Sequence, residues 1–573
     1  MVLVPLNSYD VVVIGAGWFG LSAAKTYLET HPTENLLVLD GASSFGGSWA
    51  EDRLYPGLKS NNLYGSYEHP DFPMLEEIYG VKPGQHIPAA TLHRYLTDFA
   101  RHFGILERTK LSTKVVHASQ DAKDEWDLTI RGKNDADGKE TTIHTRRLIV
   151  ATGLTSEPNL PVYAGEENFT GTKFHAKDFA VHGSTVETAK RVVIVGCGKS
   201  AYDCAYAYAT APGNTTHVDL LVRPGGQGPV WLVPPYVTPF KRMLEELLHT
   251  RALTWFAPAP WGDEDGYSAP RAWLQKSGLG RLLSANWWAT MSNEVIETHG
   301  FDDGNPELFK LKPWYPSFWT GSGVGIHNFD TNLWDLVRQG RIHVHTADIT
   351  GLEGGSVNLS NGKVLEDIDV LCCATGWKKD ATLTYNGLEL RGHGLPSVSA
   401  QEQATLRQAA DKEVLERFPI LINQPVLRYE RNPDAEPLRY YRFIVPASQV
   451  SKRNIAFAGM VSTVSTANFA NAQALWISAF FDGKLVREPK SQEEVLKEVY
   501  LHTQFVKWRY PCGYGDSLPD FAFESLPYID LLLNDVGVKN HRKQTQISEL
   551  LEPYKPKDYQ GLTAEWLALQ GRQ

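Results

Sequence analysis

Two apolar, β-branched runs break into glycines in the same way. VVVI, residues 11–14, is followed by Gly15, Gly17 and Gly20, and VVIV, residues 192–195, by Gly196, Gly198 and the small Ala201. Each glycine turn then opens a helix-like segment, and each segment leads to a further apolar run. NLLVLD ends at Asp40 and HVDLLVR at Arg223. This order predicts two strand–turn–helix–strand units, each shaped to hold a dinucleotide. The first glycine permits the tight turn, the second lets backbone approach a pyrophosphate, and the third position must be small for helix–strand packing. Phosphate then rests on unpaired N–H groups at the positive helix end. Trp18 and Phe19 at the first helix start, and Lys199 and Ser200 at the second, are cofactor-contact candidates with the glycines.

The two units differ in charge. An acid at the end of the second strand accepts a bond from a ribose 2′-hydroxyl and repels a 2′-phosphate, which an arginine there attracts. Asp40 therefore points to FAD in the first unit and Arg223 to NADPH in the second, with Lys199 offering further charge beside the 2′-phosphate. The GKS beginning at Gly198 is not a phosphate-binding P-loop, because Val193 stands where that motif needs glycine.

Each unit closes on an apolar strand running into Ala-Thr-Gly: Ala151-Thr152-Gly153, then Ala374-Thr375-Gly376. The second unit is the longer, and its surplus falls at about residues 224–330. That stretch is rich in proline and carries Trp231, Trp255, Trp273, Trp287, Trp288, Trp314 and Trp319. It reads as a mostly helical insertion whose tryptophans fill a satellite core or wall an aromatic substrate cavity. Leu92, Tyr95, Leu96, Phe99, Ala100 and Phe103 share one face of a scaffold helix capped by Gly104. NIAFAGM reads as a buried strand. The polar segment behind it leads into a helix whose start, near Asn468 to Gln473, is expected to face the flavin, with Gln473 as a contact. The predicted fold is α/β. A discontinuous FAD domain spans 1–165 and 375–490, an NADPH domain spans 166–374, and a C-terminal extension covers 491–573.

Composition narrows the setting. A chain of 573 residues holds several domains. Its net charge of −10 gives no basic face for nucleic acid. The 5 cysteines contain no CxxC, so neither a zinc knuckle nor a thioredoxin-like pair is supported. A reducing compartment fits. No apolar run approaches the ~18 residues of a membrane span, and the first strand starts too early to leave room for a signal peptide. The expectation is a cytoplasmic protein, in which the glycosylation triplets at Asn168, Asn214 and Asn358 are chance matches.

Between the two units lies FTGTKFHAKDFA, which places Phe169, Gly171, His175 and Phe179 in the pattern FxGxxxHxxxF. With this segment set between an FAD-type and an NADPH-type glycine turn, the chain resembles the flavin-containing monooxygenases, the class B flavoprotein monooxygenases. The resemblance covers roughly residues 9 to 225 and 365 to 480. It implies a linking and domain-coupling role for His175. It implies that SFGGSW, with Gly46, Gly47, Ser48 and Trp49, approaches the flavin. It also implies that an asparagine, aligned here with Asn61 and neighboured by Asn62, points its amide at flavin and nicotinamide as the catalytic positioning group. The implied activity uses FAD, NADPH and O2 to put one oxygen atom into a small molecule through a C4a-(hydro)peroxyflavin.

Departures favour the branch that oxidises nitrogen or sulfur in a bulky apolar metabolite. The signature ends Phe179-Ala180 rather than in tryptophan. FKLKPWYP holds Lys310 and Lys312 where the Baeyer–Villiger enzymes place an arginine, and Ser60-Asn61 stands where they use an aspartate. A Baeyer–Villiger oxygenase acting on a ketone is the alternative. A pyridine-nucleotide disulfide reductase would need a cysteine pair such as CxxxxC after the first turn, which is lacking. A non-enzymatic NADPH sensor is the remaining reading.

Overall fold

The computed structural model describes residues 7–571, apart from 134–138, 212, 214–215, 239–240, 379–382, 387–393 and 432–434. Asn214 lies outside the described residues.

The first apolar run forms the strand Ser8–Ile14, buried from Val11 onward, and lies parallel between Leu36–Leu39 and the long strand Glu140–Val150. Val13 pairs with Val38 on one side and Ile149 on the other. Ile455–Phe457 extends the parallel group beyond Glu140–Val150. The strands Thr113–Gln120 and Trp126–Gly132 add an antiparallel meander that shields the other end of the long strand. Strands buried on both faces read as continuous apolar runs, which is why this sheet was visible from its valines and leucines.

The second sheet is wholly parallel, in the order Ile342–Thr346, His217–Val222, Arg191–Val195, Val370–Cys373, Thr172–His175. The FxGxxxH segment thus supplies its edge strand. Cys372 and Cys373 point to opposite faces of this sheet, into separate apolar cores, and all five cysteines are free. No dithiol faces either glycine turn.

Between these sheets the chain is largely helical where the prolines and tryptophans cluster, with Leu244–Leu248, Ser268–Lys276 and Gly278–His299 the main pieces. A two-stranded parallel ribbon, Trp231–Val233 with Val324–Ile326, ties off the two ends of this excursion. Its tryptophans mostly pack inward: Trp231 and Trp288 are buried, their indole N–H groups donating to Tyr315 O and Phe256 O. Trp273 is the exception, 47% exposed. The scaffold helix runs Ala89–His102, with Leu92, Tyr95, Leu96, Phe99 and Ala100 buried and Gly104 left-handed beyond its end.

The C-terminal segment buttresses both parts. Arg251 of the helical excursion is fully buried and bonds Glu549 Oε1 at 2.7 Å, and it also pairs with Asp530. Tyr528 receives the Gln473 amide at 3.1 Å, and Gly561 N–H donates to Asp71 at 2.7 Å. Buried charges of this kind need partners. Among the described residues no helix is long and apolar enough to cross a membrane.

Candidate active site: two cavities with a shared wall

The first glycine turn is built without slack. A Cβ on Gly20 would stand 1.9 Å from Gly15 O, and one on Gly15 would stand 2.3 Å from Ala151 O. Gly17 and Gly47 approach so closely that a Cβ on Gly47 would lie 3.0 Å from Gly17 Cα. The SFGGSW loop is therefore folded onto the turn, backbone to backbone. Asp40 is locked at the edge of this cradle, accepting Ala16 N–H at 2.6 Å and Ala42 N–H at 2.8 Å. Burial pushes its carboxyl up, while these two bonds and Arg53 pull it down.

Around the turn lies a cavity of about 550 Å³ lined by Gly15, Gly17, Trp18, Phe19, Asp40, Gly47, Ser48, Trp49 and Thr152, with Arg53 and Lys177. The two cations were not singled out from sequence. Arg53 donates to Thr155 O at 3.1 Å and lies 5.6 Å from the Trp377 ring, and Lys177 donates to Ser156 O at 3.1 Å. Neither forms an ion pair with a carboxylate among the described residues. Both pKa values are lowered, by burial first. Two half-desolvated cations held by carbonyls fit an anionic ligand such as a pyrophosphate.

The second turn repeats the first in outline. Gly196 has a positive φ of 126°, and a Cβ there would stand 2.4 Å from Ala374 O. Gly198 differs: a Cβ would meet nothing within 4 Å, so that face is open to a ligand. Arg223 is exposed at the end of its strand. Lys199 is less available than expected. Its ammonium pairs with Asp203 and sits 4.5 Å from the Phe329 ring. The Thr375 hydroxyl is spent on Asn159 O at 2.5 Å, so this side chain holds the turn.

His175 ties the signature segment to the second Ala-Thr-Gly turn. Its Nδ1 accepts Lys177 N–H at 3.0 Å, which leaves Nε2–H to donate to Gly376 O at 2.9 Å. Burial lowers its pKa, so the ring stays neutral. Gly171 must be glycine, since a Cβ would stand 2.5 Å from Ile368 O and 2.7 Å from the Phe169 ring. Phe179 is buried edge-on to Tyr55 at 5.0 Å.

An inner cavity of about 350 Å³ lies beside the first. It is lined by Asn61, Asn62, Lys199, Ser200, Leu244, Leu248, Val324 and Ile326. Trp49, Tyr67, Thr463 and Thr466 line both cavities. Trp49 Nε1–H donates to Tyr67 OH at 3.1 Å, and burial pushes the Tyr67 phenol up to about 12, so it stays protonated. Thr466 begins the buried helix Thr466–Phe481, whose positive end therefore meets the shared wall.

Asn61 and Asn62 both belong to the strand Lys59–Leu63. The Asn62 amide donates to Val464 O at 3.2 Å. Asn61 makes no side-chain hydrogen bond among the described residues, so its amide is free for a ligand.

One expectation is corrected. Gln473 is fully buried and spans Gly459 N–H at 3.0 Å and Tyr528 OH at 3.1 Å. It shapes the turn under Phe19 rather than touching a cofactor; Thr466, two turns earlier on that helix, takes the wall position. Of the two readings of the insertion tryptophans, burial favours the satellite core, and none of them lines the inner cavity. Its wall mixes aliphatic side chains (Leu58, Leu244, Leu248, Val324, Ile326) with polar ones (Lys59, Lys199, Ser200, Glu245), and Trp49 and Tyr67 are its aromatic members.

A nucleotide cradle, a second turn open to ligand and a shared wall define a flavoprotein oxidoreductase with two dinucleotide sites. Residues 9–227 match the family described as pyridine nucleotide-disulphide oxidoreductase. FAD-dependent monooxygenase resA of Aspergillus sclerotiorum is 34% identical, covering 98% of each chain. An FAD-dependent monooxygenase of Pyrenophora dematioidea is 36% identical over 94% of this chain and 100% of its own. The chain belongs to the FAD-dependent monooxygenase family. Its fold is that of the open form of cyclohexanone monooxygenase, with a TM-score of 0.58 at 16% identity over 93% and 99% of the two chains. It is also that of S-allyl-L-cysteine S-oxygenase from Allium sativum, with a TM-score of 0.53 at 15% identity over 93% and 89%.

Proposed function

We propose that this monooxygenase takes its electrons from NADPH and transfers one oxygen atom of O2 to a nitrogen or sulfur of a largely apolar small molecule, the other leaving as water. The observation that carries this reading is the shared wall of Trp49, Tyr67, Thr463 and Thr466 between the two cavities. It supports a meeting of a ligand on the first glycine turn with one held beside Lys199 and Ser200 at the start of the second turn's helix.

Bound FAD would supply two-electron chemistry with a nicotinamide and the activation of O2. The chain's own residues bind, orient and exclude water. Asp40 meets a ribose hydroxyl, and Arg53 and Lys177 balance the pyrophosphate. The helix starting at Thr466 favours negative charge at the wall. Trp49 and Tyr67 close the wall with ring surface, and Asn61 offers an amide from the inner side. In this reading residues 1–165 and 375–490 form the FAD domain, 166–374 the NADPH domain, and Arg223 selects the 2′-phosphate.

The heteroatom branch rests on the placement of the lysines in FKLKPWYP. Lys310 is bound to Glu307 and to Val344 O at 2.8 Å, and Lys312 to Asp302 at 2.8 Å. Neither lines the inner cavity, so they supply no free cation to hold an anionic oxidant there. Several of the family's relatives come from fungi, which suits a specialised metabolite as substrate.

The test is a purified preparation offered benzyl methyl sulfide, N,N-dimethylbenzylamine and phenylacetone. The expected result is a yellow protein that oxidises NADPH far faster than NADH and forms sulfoxide or N-oxide. Ester formation from the ketone as the main product would overturn the heteroatom reading.

A further inference from the structure

The short helix Leu244–Leu248 brings a glutamate to the wall of the inner cavity. Glu245 is 2% exposed, and both carboxylate oxygens are sealed from water without a hydrogen-bond partner. Its own N–H, the Leu63 N–H and the Asn62 amide approach the carboxylate without reaching bonding geometry, and the Asn62 amide also serves Val464 O.

The other charges nearby are engaged. Lys199 is paired with Asp203, Lys59 with Asp330, and Glu246 with Lys555 at 3.0 Å. His249, one turn on, contacts Ser465, and burial lowers it to about 4, so it is neutral. His86, across the strand, is also lowered by burial. Burial pushes the Glu245 carboxyl up to about 7, and the Glu246 charge adds to the shift. A carboxyl buried without donors is costly to keep. The cavity also carries the paired Lys59 and Lys199 and the hydroxyls of Ser200, Ser322, Thr463 and Thr466, but none of them donates to Glu245, so the missing donor is one a ligand can bring.

We propose that Glu245 is the substrate anchor of the inner cavity, taking an N–H or O–H donor on a molecule that is otherwise apolar and so deciding which of its atoms faces Trp49 and Tyr67. This deepens the oxygenase reading above and rests on it. The ligand chemistry is a single donor group, either an ammonium or a hydroxyl. An unpaired buried polar group rejects a ligand lacking the matching group far more strongly than an apolar wall rejects a missing methylene.

The test is isothermal titration of the purified full-length protein, supplied with FAD, with three probes of one shape: benzylamine, benzyl alcohol and ethylbenzene. Wild type is expected to bind one of the first two at least about tenfold tighter than ethylbenzene, the size of effect one buried hydrogen bond to a charged group gives. A margin for benzylamine assigns an ammonium and a margin for benzyl alcohol a hydroxyl. Glu245→Leu should erase the margin. Should that variant not fold, the wild-type pH profile decides, because the margin must change as pH passes through about 7. No margin in wild type, a margin that survives Glu245→Leu, or one that is flat across neutral pH overturns the proposal. Flavin content and NADPH oxidation are read on the same preparation. A yellow, NADPH-oxidising protein without the margin sinks the anchor and leaves the oxygenase; a colourless, NADPH-inert protein with the margin does the reverse.

Discussion

The two glycine turns share a plan and differ in how much room they leave. At the first, Gly15 and Gly20 are hemmed in by backbone, Gly17 lies in contact with Gly47, and the acid at the next strand end is pinned by two N–H bonds. At the second, Gly196 is equally confined, but Gly198 faces open space and Arg223 is exposed. A turn whose glycines pack against backbone has a fixed shape to offer a ligand. A cradle that is half open, with a solvated cation at its rim, suits a ligand that comes and goes. In the function proposed above the first cradle holds a resident cofactor and the second a consumed one, and that contrast can be broken by substitution.

The largest effect is expected from Gly20→Ala. Its Cβ would overlap Gly15 O at 1.9 Å, and backbone has no rotamer in which to escape. The protein should lose its flavin, read as the 450 nm to 280 nm absorbance ratio, with affinity down by more than about a hundredfold, at the upper end of single-site effects. Gly198→Ala makes the contrast. It should keep the flavin and weaken NADPH alone. Loss of flavin from both variants would erase the distinction between the turns.

Arg223→Ala tests the open rim. A charge-assisted hydrogen bond to phosphate is worth about 1.5–3 kcal/mol, so the KM for NADPH should rise roughly tenfold to a hundredfold while that for NADH moves less than about twofold. Equal losses with both coenzymes would take selectivity away from Arg223.

These positions were legible because their physics is local. A β-branched run, a glycine with a positive φ and a charge at a strand end are all written within about thirty residues. Gly15, Gly20, Gly196, Asp40 and the FxGxxxH segment belong to this class. Arg53, Lys177 and Glu245 do not. Each reaches its cavity by packing of distant segments, and a charged residue in a turn or short helix looks solvated until its neighbours are known. Gln473 failed for a related reason. Its helix does end at the wall, but periodicity gives a helix no origin, and the residue facing the cavity is Thr466. The tryptophans were ambiguous in sequence because burial and ligand contact select the same side chains.

A third test concerns pH and the buried packing behind the helix Leu244–Leu248, in contrast to the solvated rim at Arg223. His249 is buried and contacts Ser465 just before the helix that starts at Thr466, and burial lowers it to about 4. The unfolded chain takes up its proton near pH 6.5 and the folded one only near 4. Stability from this residue is therefore complete above about pH 6.5 and is lost as pH falls toward 4. At pH 5 the loss is about 2 kcal/mol, from 1.36 kcal/mol for each pH unit below the unfolded value. Thermal unfolding followed between pH 7 and 5 should show a shallower decline in His249→Gln than in wild type. Parallel slopes would mean that the ring is already charged or already wet.

The smallest effect is expected at Asn61, where the wall between the two turns is read directly. Its amide has no partner among the described residues, so removing it leaves no donor or acceptor unsatisfied there and the fold should be indifferent. What Asn61→Ala removes is a single neutral hydrogen bond to whatever occupies the wall, worth about 1 kcal/mol. That corresponds to roughly fivefold in the partition between oxygen transfer and escape as hydrogen peroxide. Product formed per NADPH should fall while flavin content, the KM for NADPH and the melting temperature stay put. Asn62→Ala is the control one residue away. Its amide holds Val464 O at 3.2 Å beside the shared Thr463, so that variant should lower the melting temperature as well. If the two variants exchange behaviours, the neighbouring asparagines have been read in the wrong register, and it is Asn62 that faces the chemistry.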